Sequence, residues 1–304
     1  MAPYLRFRQV CLVAPALEPA ASDLSFILGL DVCFRDPAVG KYGLENALWP
    51  VGDMFIEIVA PTKADTAAGR FLARSKGHGG YMAIFDCDDP RARGAHAEKI
   101  GVKKIVDHTH GAYTGVQLHP RDCRAAMIEF NHTAGGDADP TRYAPAGTDW
   151  TKHRRTDQTK KIVAIDVETP KPVELAAHWA DIIQVPVNKD ADGAPMLRFA
   201  EADIRFVQVA EGAPECIGGL TFACADPAGV LQRANARGYA PHGGAFSPVG
   251  RADAAGRGVT NPRPEEPAKR ASRRTATPAI LASAILRDAL LCSAPQDEDC
   301  WSSR

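Results

Sequence analysis

The sequence predicts an α+β fold in which βαβββ units follow one another in tandem and the fourth unit is incomplete. Three observations lead to this prediction. Short apolar segments bounded by Gly, Pro or Asp have the length and composition of strands. Segments between them carry the start and stop signals of helices. The same order of elements recurs in the second half, which indicates an internal repeat.

The first half supplies two units. Its helix candidates are residues 18–29, with Pro19 near the start, and residues 90–100, where Pro90 follows Asp89 and Gly101 ends the helix. Its strand candidates are residues 5–14, 53–60, 81–87, 115–118 and 125–131. The order is therefore strand, helix, strands, and then strand, helix, strands again.

The second half repeats this order and some of the residues. Its elements are strand 162–168, helix 172–184, strand 203–210, strand 218–224 and helix 227–237. The motif Phe85-x-Cys87-x-Asp89-Pro90 returns as Phe222-x-Cys224-x-Asp226-Pro227. Four units in two pairs are the simplest interpretation, with no terminal strands visible in the fourth.

Length and composition divide the chain into two domains and a tail. Its 304 residues suit two domains of roughly 150 residues each. We predict a first domain at 1–135, a linker at 136–160 and a second, degenerate domain at 161–248. The tail covers 249–304. Large apolar side chains are almost absent from its residues 250–277, which predicts disorder, and one short helix is predicted near 278–292. A tail without function and a basic interaction tail both remain open.

Composition excludes several classes of function. A formal net charge of -1 provides no field for nucleic acid or an anionic membrane. Eight cysteines without a CxxC pair indicate neither structural zinc nor a redox dithiol. The sequence has no apolar run long enough to span a membrane, no P-loop, no nucleophile elbow and no HExxH motif. We therefore expect a cytoplasmic protein without nucleic-acid or membrane partners.

Three motifs resemble the vicinal oxygen chelate superfamily, which includes glyoxalase-like, bleomycin-resistance and extradiol dioxygenase proteins. They are Gly79-Gly80 before an apolar strand, Asp88-Asp89 after it, and a segment from His119-Pro120 to Glu129-Phe130. The resemblance implies that two βαβββ units pair into a curved half-barrel sheet. It also implies a divalent metal on the concave face, which chelates two neighbouring oxygens of a substrate.

Under this resemblance, one residue from the first and one from the last strand of each unit bind the metal. The matching positions are Gln9, Glu57, Met82 and Glu129. Amide and carboxylate oxygens suit Mg, Mn, Ni, Co, Zn or Fe, whereas the Met82 thioether is a poor ligand for these ions. A substitute imidazole is offered by His78 or by the pair His108 and His110. The alternative interpretation makes both glutamates outward polar residues on half-buried strands.

The second half lacks this set of residues. Its corresponding positions are predicted to be Ile162, Gln208 and Gly219, so we interpret the second pair as structural or degenerate. A ring-cleaving dioxygenase would need two His and one Glu in that pair. That function is therefore the least favoured of those that the resemblance implies.

Three functions remain open. The resemblance implies a metal-dependent isomerase, epimerase or lyase that stabilises an enediolate, with Glu57 or Glu129 shuttling a proton. Met82 at a metal position favours instead a protein that binds or sequesters a small molecule without catalysis. A scaffold for a homodimer would have a cavity filled by its own side chains. In the first two cases the partner is a small oxygen-bearing molecule.

Overall fold

The computed structural model describes residues 3–75, 79–242, 245–248 and 279–281. The strands of the first half are β1 Leu5–Val13, β2 Leu44–Val51, β3 Met54–Pro61, β4 Gly80–Cys87, β5 Lys104–His110, β6 Tyr113–Leu118 and β7 Met127–Thr133. Those of the second half are β8 Thr159–Thr169, β9 Asn188–Lys189, β10 Pro195–Leu197, β11 Asp203–Gln208, β12 Cys216–Cys224, β13 Tyr239–His242, β14 Ala245–Pro248 and β15 Ala279–Leu281.

The helices are α1 Ala20–Leu28, α2 Ala67–Arg74, α3 Pro90–Lys99, α4 Pro120–Cys123, α5 Pro172–Ile183 and α6 Pro227–Ala236. Short 3-10 helices cover Pro37–Tyr42, Ala144–Ala146 and Trp150–His153. The predicted α+β class is confirmed, because these elements form one large mixed sheet that is curved and unclosed. None of the helices in the described ranges has the length and hydropathy needed to cross a bilayer.

The first two units pair around β1 and β4, which lie side by side and antiparallel. β3 runs parallel to β1, and β7 runs parallel to β4. The strand order across the pair is β2-β3-β1-β4-β7-β6-β5. The last strand of each unit therefore lies beside the first strand of the same unit, and an approximate twofold axis relates the two units.

The repeated Asp-Pro motif starts α3 and α6 in the same way. The Asp89 carboxylate accepts a hydrogen bond from the Ala92 N–H at 2.9 Å, and Asp226 accepts one from Gly229 at 3.0 Å. Each proline that follows occupies the first turn of its helix, where its missing N–H is not needed. Identical capping explains why the motif recurs.

The fourth unit differs from the second. β13, β14 and β15 follow α6 but have only four, four and three residues. β15 runs antiparallel to β12, whereas β7 runs parallel to β4. The predicted helix is wrong for Ala279–Leu281, because a short apolar run suits a strand equally well when a neighbouring strand offers backbone partners. The other residues of the predicted tail lie outside the described residues.

One apolar core joins the two pairs through their helices. The Trp179 indole of α5 donates to the Cys123 carbonyl at 2.9 Å, and the Arg233 guanidinium of α6 donates to the Ile27 carbonyl at 3.0 Å. The core contains residues of both pairs, including Phe7 and Phe222. We call the opposite face of the first pair, which turns away from this core, the site face.

The two pairs also meet along the sheet at Gly80. This residue of β4 is the backbone partner of Ile217 in β12. A Cβ atom at position 80 would lie 2.2 Å from the Ile217 carbonyl oxygen, far inside contact distance. Only glycine allows the strands to approach this closely, which explains the glycine before the apolar strand.

Candidate functional site

Four strands bring the predicted site residues together on the site face. Gln9 lies on β1, Glu57 on β3, Met82 on β4 and Glu129 on β7, and each is at most 9% exposed. Cys11 pairs with both Glu57 and Met82 across the central strands. In the same way, Ile84 of β4 is the backbone partner of Gln9 in β1 and of Glu129 in β7. The two glutamates therefore occupy equivalent positions of the two units.

Amide groups surround the Glu57 carboxylate. Gln9 Nε2 donates to Glu57 Oε2 at 2.7 Å, and Asn46 Nδ2 donates to Oε1 at 2.7 Å. Burial raises the pKa of Glu57, and the hydrogen bonds from Asn46, Cys11 and Gln9 offset part of that rise. The nearby Glu129 carboxylate raises the same pKa. Glu57 is therefore a carboxyl group that holds its proton more tightly than usual.

Three side chains donate to the Glu129 carboxylate. Tyr113 Oη donates to Oε1 at 2.6 Å, Gln117 Nε2 donates to Oε2 at 2.7 Å, and Asn131 Nδ2 reaches Oε1 at 3.3 Å. Burial, followed by the Glu129 charge, raises the pKa of the Tyr113 phenol well above its usual value. Tyr113 therefore remains a proton donor to Glu129 at physiological pH.

Tyr143 connects the two halves of this polar network. Its hydroxyl donates to Gln9 Oε1 at 3.0 Å and accepts from Asn131 Nδ2 at 3.4 Å. Asn131 in turn donates to Glu129, and Gln9 donates to Glu57. An unbroken series of side-chain hydrogen bonds therefore links the two carboxylates.

The predicted linker closes one side of the site face. Tyr143, Ala146 and Trp150 are buried there in one cluster with Phe55. The Tyr143 ring stacks on Phe55 with centroids 5.0 Å apart, and Trp150 meets Phe55 edge to face at 4.9 Å. These residues are part of the folded first pair, which the absence of periodicity in this segment did not reveal.

A buried cation holds the linker in place. Arg8 is 2% exposed, and its guanidinium lies 5.0 to 5.7 Å from the ring centroids of Phe55, Tyr143 and Trp150. It donates to the Pro140 carbonyl at 2.5 Å and to the Asp53 carbonyl. Burial lowers the pKa of this guanidinium, and the aromatic faces compensate part of its lost hydration.

The other side of the site face is apolar. The buried residues there are Cys11, Val13, Val59, Ala68, Tyr81, Met82, Ile84 and Met127. Helix α2 covers them, with Phe71 and Leu72 partly buried and the Phe71 ring 5.0 Å from the Tyr81 ring. Met82 therefore belongs to an apolar surface.

The described residues do not fit the divalent metal that the resemblance implies. Both oxygens of Glu57 and of Glu129 accept hydrogen bonds from protein donors, and the Gln9 oxygen accepts one from Tyr143. The fourth position presents the Met82 thioether, a poor partner for a hard cation. Within the described ranges, no three His, Cys, Asp or Glu side chains are grouped so that they could hold a metal ion.

Of the histidines considered as substitutes, only His108 and His110 lie in the described ranges. His78 lies outside the described residues. His108 is half-buried with its ring 5.6 Å from the Tyr113 ring, and His110 on the same strand is exposed. β5 is the outermost strand of the first pair, so two strands separate His108 from β4.

The second pair carries a different set of residues at the matching positions. The pairing of β1 with β4 skips one residue of β1 between Phe7 and Gln9. The pairing of β8 with β12 skips one residue of β8, between Ile162 and Ala164, in the same way. Gln9 therefore corresponds to Ala164, which corrects the prediction of Ile162. The Cys11–Glu57 pair corresponds to Asp166–Arg205, which corrects the prediction of Gln208. Gly219 pairs with Asp166 as Met82 pairs with Cys11, in agreement with its prediction.

Charge is reversed at the position equivalent to Glu57. Arg205 Nε donates to Asp166 Oδ1 at 2.6 Å, and its Nη2 donates to Thr221 at 2.8 Å. Ala164, Arg205 and Gly219 include no His or Glu. These three positions of the second pair therefore do not repeat the acidic site, and they give the ring-cleaving dioxygenase no support.

Five site residues were not predicted from the sequence. They are Asn46, Tyr113, Gln117, Asn131 and Tyr143. For Asn131, Tyr113 and Gln117 a signal existed, because residues two or four apart on a strand share a face. Asn46 lies outside the strand candidates, and Tyr143 lies in the predicted linker, so neither had a periodicity to reveal it.

Comparison with known proteins gives a family and a fold. Residues 10–183 match the family model described as a glyoxalase-like domain. A comparison with curated protein sequences finds no match. A hypothetical protein from Staphylococcus aureus is 12% identical with a TM-score of 0.50, covering 70% of this chain and 88% of that chain. This likeness shows the fold over most of the chain.

Two epimerase structures are similar to a shorter part of the chain. A methylmalonyl-CoA epimerase in complex with methylmalonyl-CoA and NH4+ is 21% identical, with a TM-score of 0.39, covering 42% of this chain and 94% of that chain. Methylmalonyl-CoA epimerase from Mycobacterium tuberculosis is 20% identical, with a TM-score of 0.38, covering 44% of this chain and 91% of that chain.

Proposed function

Since the chain belongs to the glyoxalase-like domain family, we propose that its first pair binds a small oxygen-bearing molecule and transfers a proton to or from it, as an isomerase or epimerase does. The observation that carries the proposal is the pair of buried glutamates at equivalent positions, each surrounded by neutral donors. Burying two carboxyl groups on one face of the sheet costs free energy that apolar residues would not cost. Such an arrangement is typical of a functional site.

The two carboxyl groups differ in a way that suits proton transfer. Glu57 has a raised pKa and two amide donors, whereas Glu129 is held by two amides and a phenol. Different surroundings allow one carboxyl group to give a proton while the other accepts one. The donors from Gln9, Asn46 and Tyr113 would meet a substrate oxygen that carries developing negative charge.

The experiment follows deuterium incorporation by NMR. Purified protein in D₂O is incubated with α-hydroxyketones, 2-hydroxyaldehydes and methylmalonyl-CoA, the last because it is the ligand named in one similar structure. We expect exchange at the carbon beside the carbonyl for one class, and a loss of at least about 100-fold in both Glu57→Gln and Glu129→Gln.

A matched control uses the exposed Glu45 of β2, which is absent from the polar network. Glu45→Gln should retain full exchange. Equal exchange in the wild type and both site variants would contradict proton transfer by these residues. No exchange with any compound would contradict the enzyme itself.

One observation favours a second function, a small-molecule binding protein. Half of the site face is apolar, formed by residues such as Val13, Met82 and Met127 beneath Phe71 of α2. Ligand pockets are mostly apolar with a few polar groups that fix orientation. A compound that raises the melting temperature without any deuterium incorporation would support binding and argue against catalysis.

A further inference from the structure

The Gln9 amide is oriented by a residue from outside the sheet. Gln9 Nε2 donates to Glu57 at 2.7 Å, and its Oε1 accepts from the Tyr143 hydroxyl at 3.0 Å. We propose that Tyr143 is a positioning residue of the site, which holds Gln9 with its N–H directed at Glu57. This inference rests on the proposed function, because it assigns Tyr143 a role in keeping the proton-transferring groups aligned.

The direction of each hydrogen bond supports this role. Asn131 donates from Nδ2 to the Tyr143 oxygen at 3.4 Å and to Glu129 at 3.3 Å. An amide N–H only donates, so the Tyr143 proton points the other way, toward Gln9 Oε1. Gln9 then has only its N–H left for Glu57. Tyr143 therefore couples the orientation of the Asn131 amide, beside Glu129, to the orientation of the Gln9 amide, beside Glu57.

The linker contacts place the Tyr143 hydroxyl firmly. Its ring stacks on Phe55, at 18° between planes, and lies beneath the Arg8 guanidinium. On either side, Arg6 donates to the Gly136 carbonyl at 2.9 Å, and the Trp150 indole donates to the Thr141 carbonyl at 2.7 Å. These contacts involve the Tyr143 ring and neighbouring residues. They therefore position the hydroxyl, and they would persist if the hydroxyl were removed.

The test is Tyr143→Phe, which keeps the ring and removes the hydroxyl. The readout is the hydrogen exchange of the Gln9 side-chain amide with solvent, followed by ¹⁵N NMR and assigned with Gln9→Met. We expect at least about fivefold faster exchange in Tyr143→Phe, because one buried hydrogen bond is lost. Tyr239→Phe is the matched control, since it removes an equally buried hydroxyl that donates to Asp23 at 3.0 Å outside the site.

Unchanged Gln9 exchange in folded Tyr143→Phe would overturn the proposal. Should that variant not fold, the reciprocal measurement uses Gln9→Met, in which the Tyr143 hydroxyl proton must exchange faster with water. An unchanged hydroxyl proton there would also overturn it. If a substrate incorporates deuterium but Gln9 exchange is unchanged in Tyr143→Phe, only the role of Tyr143 is rejected. If Gln9 exchange is faster in Tyr143→Phe but no compound incorporates deuterium, only the proposed function is rejected.

Discussion

Replacement of Trp150 by alanine tests whether the linker is part of the folded first pair. The side chain is 1% exposed, contacts Phe55 edge to face at 4.9 Å, and donates to the Thr141 carbonyl at 2.7 Å. A buried Trp removes about 150–250 Å² from water. At about 25 cal/mol per Å², this corresponds to roughly 4–6 kcal/mol as an upper estimate.

The measured cost of Trp-to-Ala changes in cores is about 3–5 kcal/mol. We expect Trp150→Ala to lower the free energy of unfolding by about 3–4 kcal/mol, because part of the linker relaxes into the space. Urea unfolding followed by far-UV circular dichroism measures it. The adjacent Asp149→Ala is the control. Its ion pair with Lys152 is exposed, so its effect should stay within about 0.5 kcal/mol. A loss below about 1 kcal/mol in Trp150→Ala would refute the packed linker.

Three further predictions concern the site and the seam between the pairs. Burial raises the pKa of Glu57 in the folded protein. The contribution of this group to the free energy of unfolding is therefore full below its unfolded pKa of about 4.3, and it is lost as the pH rises through the folded pKa. The free energy of unfolding of the wild type relative to Glu57→Gln should fall with rising pH, and a difference that grows would contradict the burial argument. Elemental analysis after exchange with several divalent ions should find no stoichiometric metal, whereas metal that disappears in Glu57→Ala and Glu129→Ala would show that our assessment of the donors is wrong. Gly80→Ala places a Cβ atom 2.2 Å from the Ile217 carbonyl oxygen and should lower the free energy of unfolding by about 1–3 kcal/mol. The control is Gly40→Ala, whose Cβ atom meets no atom within 4 Å. Equal melting temperatures of the two variants would contradict the close approach of the strands.

The sequence predicted the elements that carry strong local signals. α3 and α6 begin where the Asp-Pro motifs place them, and β1, β4 and β7 coincide with the apolar runs. β2 and α2 were not predicted. β2 contains Glu45, Asn46 and Pro50, which weaken its strand pattern, and α2 has only eight residues with one buried side chain. Both depend on tertiary contacts that local patterns do not contain.

Register was the harder part of the site. The positions of Gln9, Glu57 and Glu129 on one face agree with the placement from the resemblance, whereas their roles in metal binding and catalysis stay predictions, as do the domain boundaries and the homodimer. In the second pair, an irregularity between Ile162 and Ala164 breaks the period of two in β8. The pairing of β11 with β8 is regular, and it places Arg205 rather than Gln208 opposite Asp166. A single extra residue moves each later side chain to the opposite face, and no sequence signal marks where it lies.

The burial of Arg8 depends in part on residues that follow Glu129 in the sequence. Glu57 and Glu129 are both synthesised before residue 135, whereas Tyr143 and Trp150, which flank the guanidinium, come later. Removing a cation from water without such partners costs several kcal/mol. We therefore expect a fragment cut at the predicted domain end to have both acidic residues but to keep Arg8 hydrated and this side of the site face uncovered. The contacts of Arg8 with Tyr143 and Trp150 require about fifteen more residues of chain.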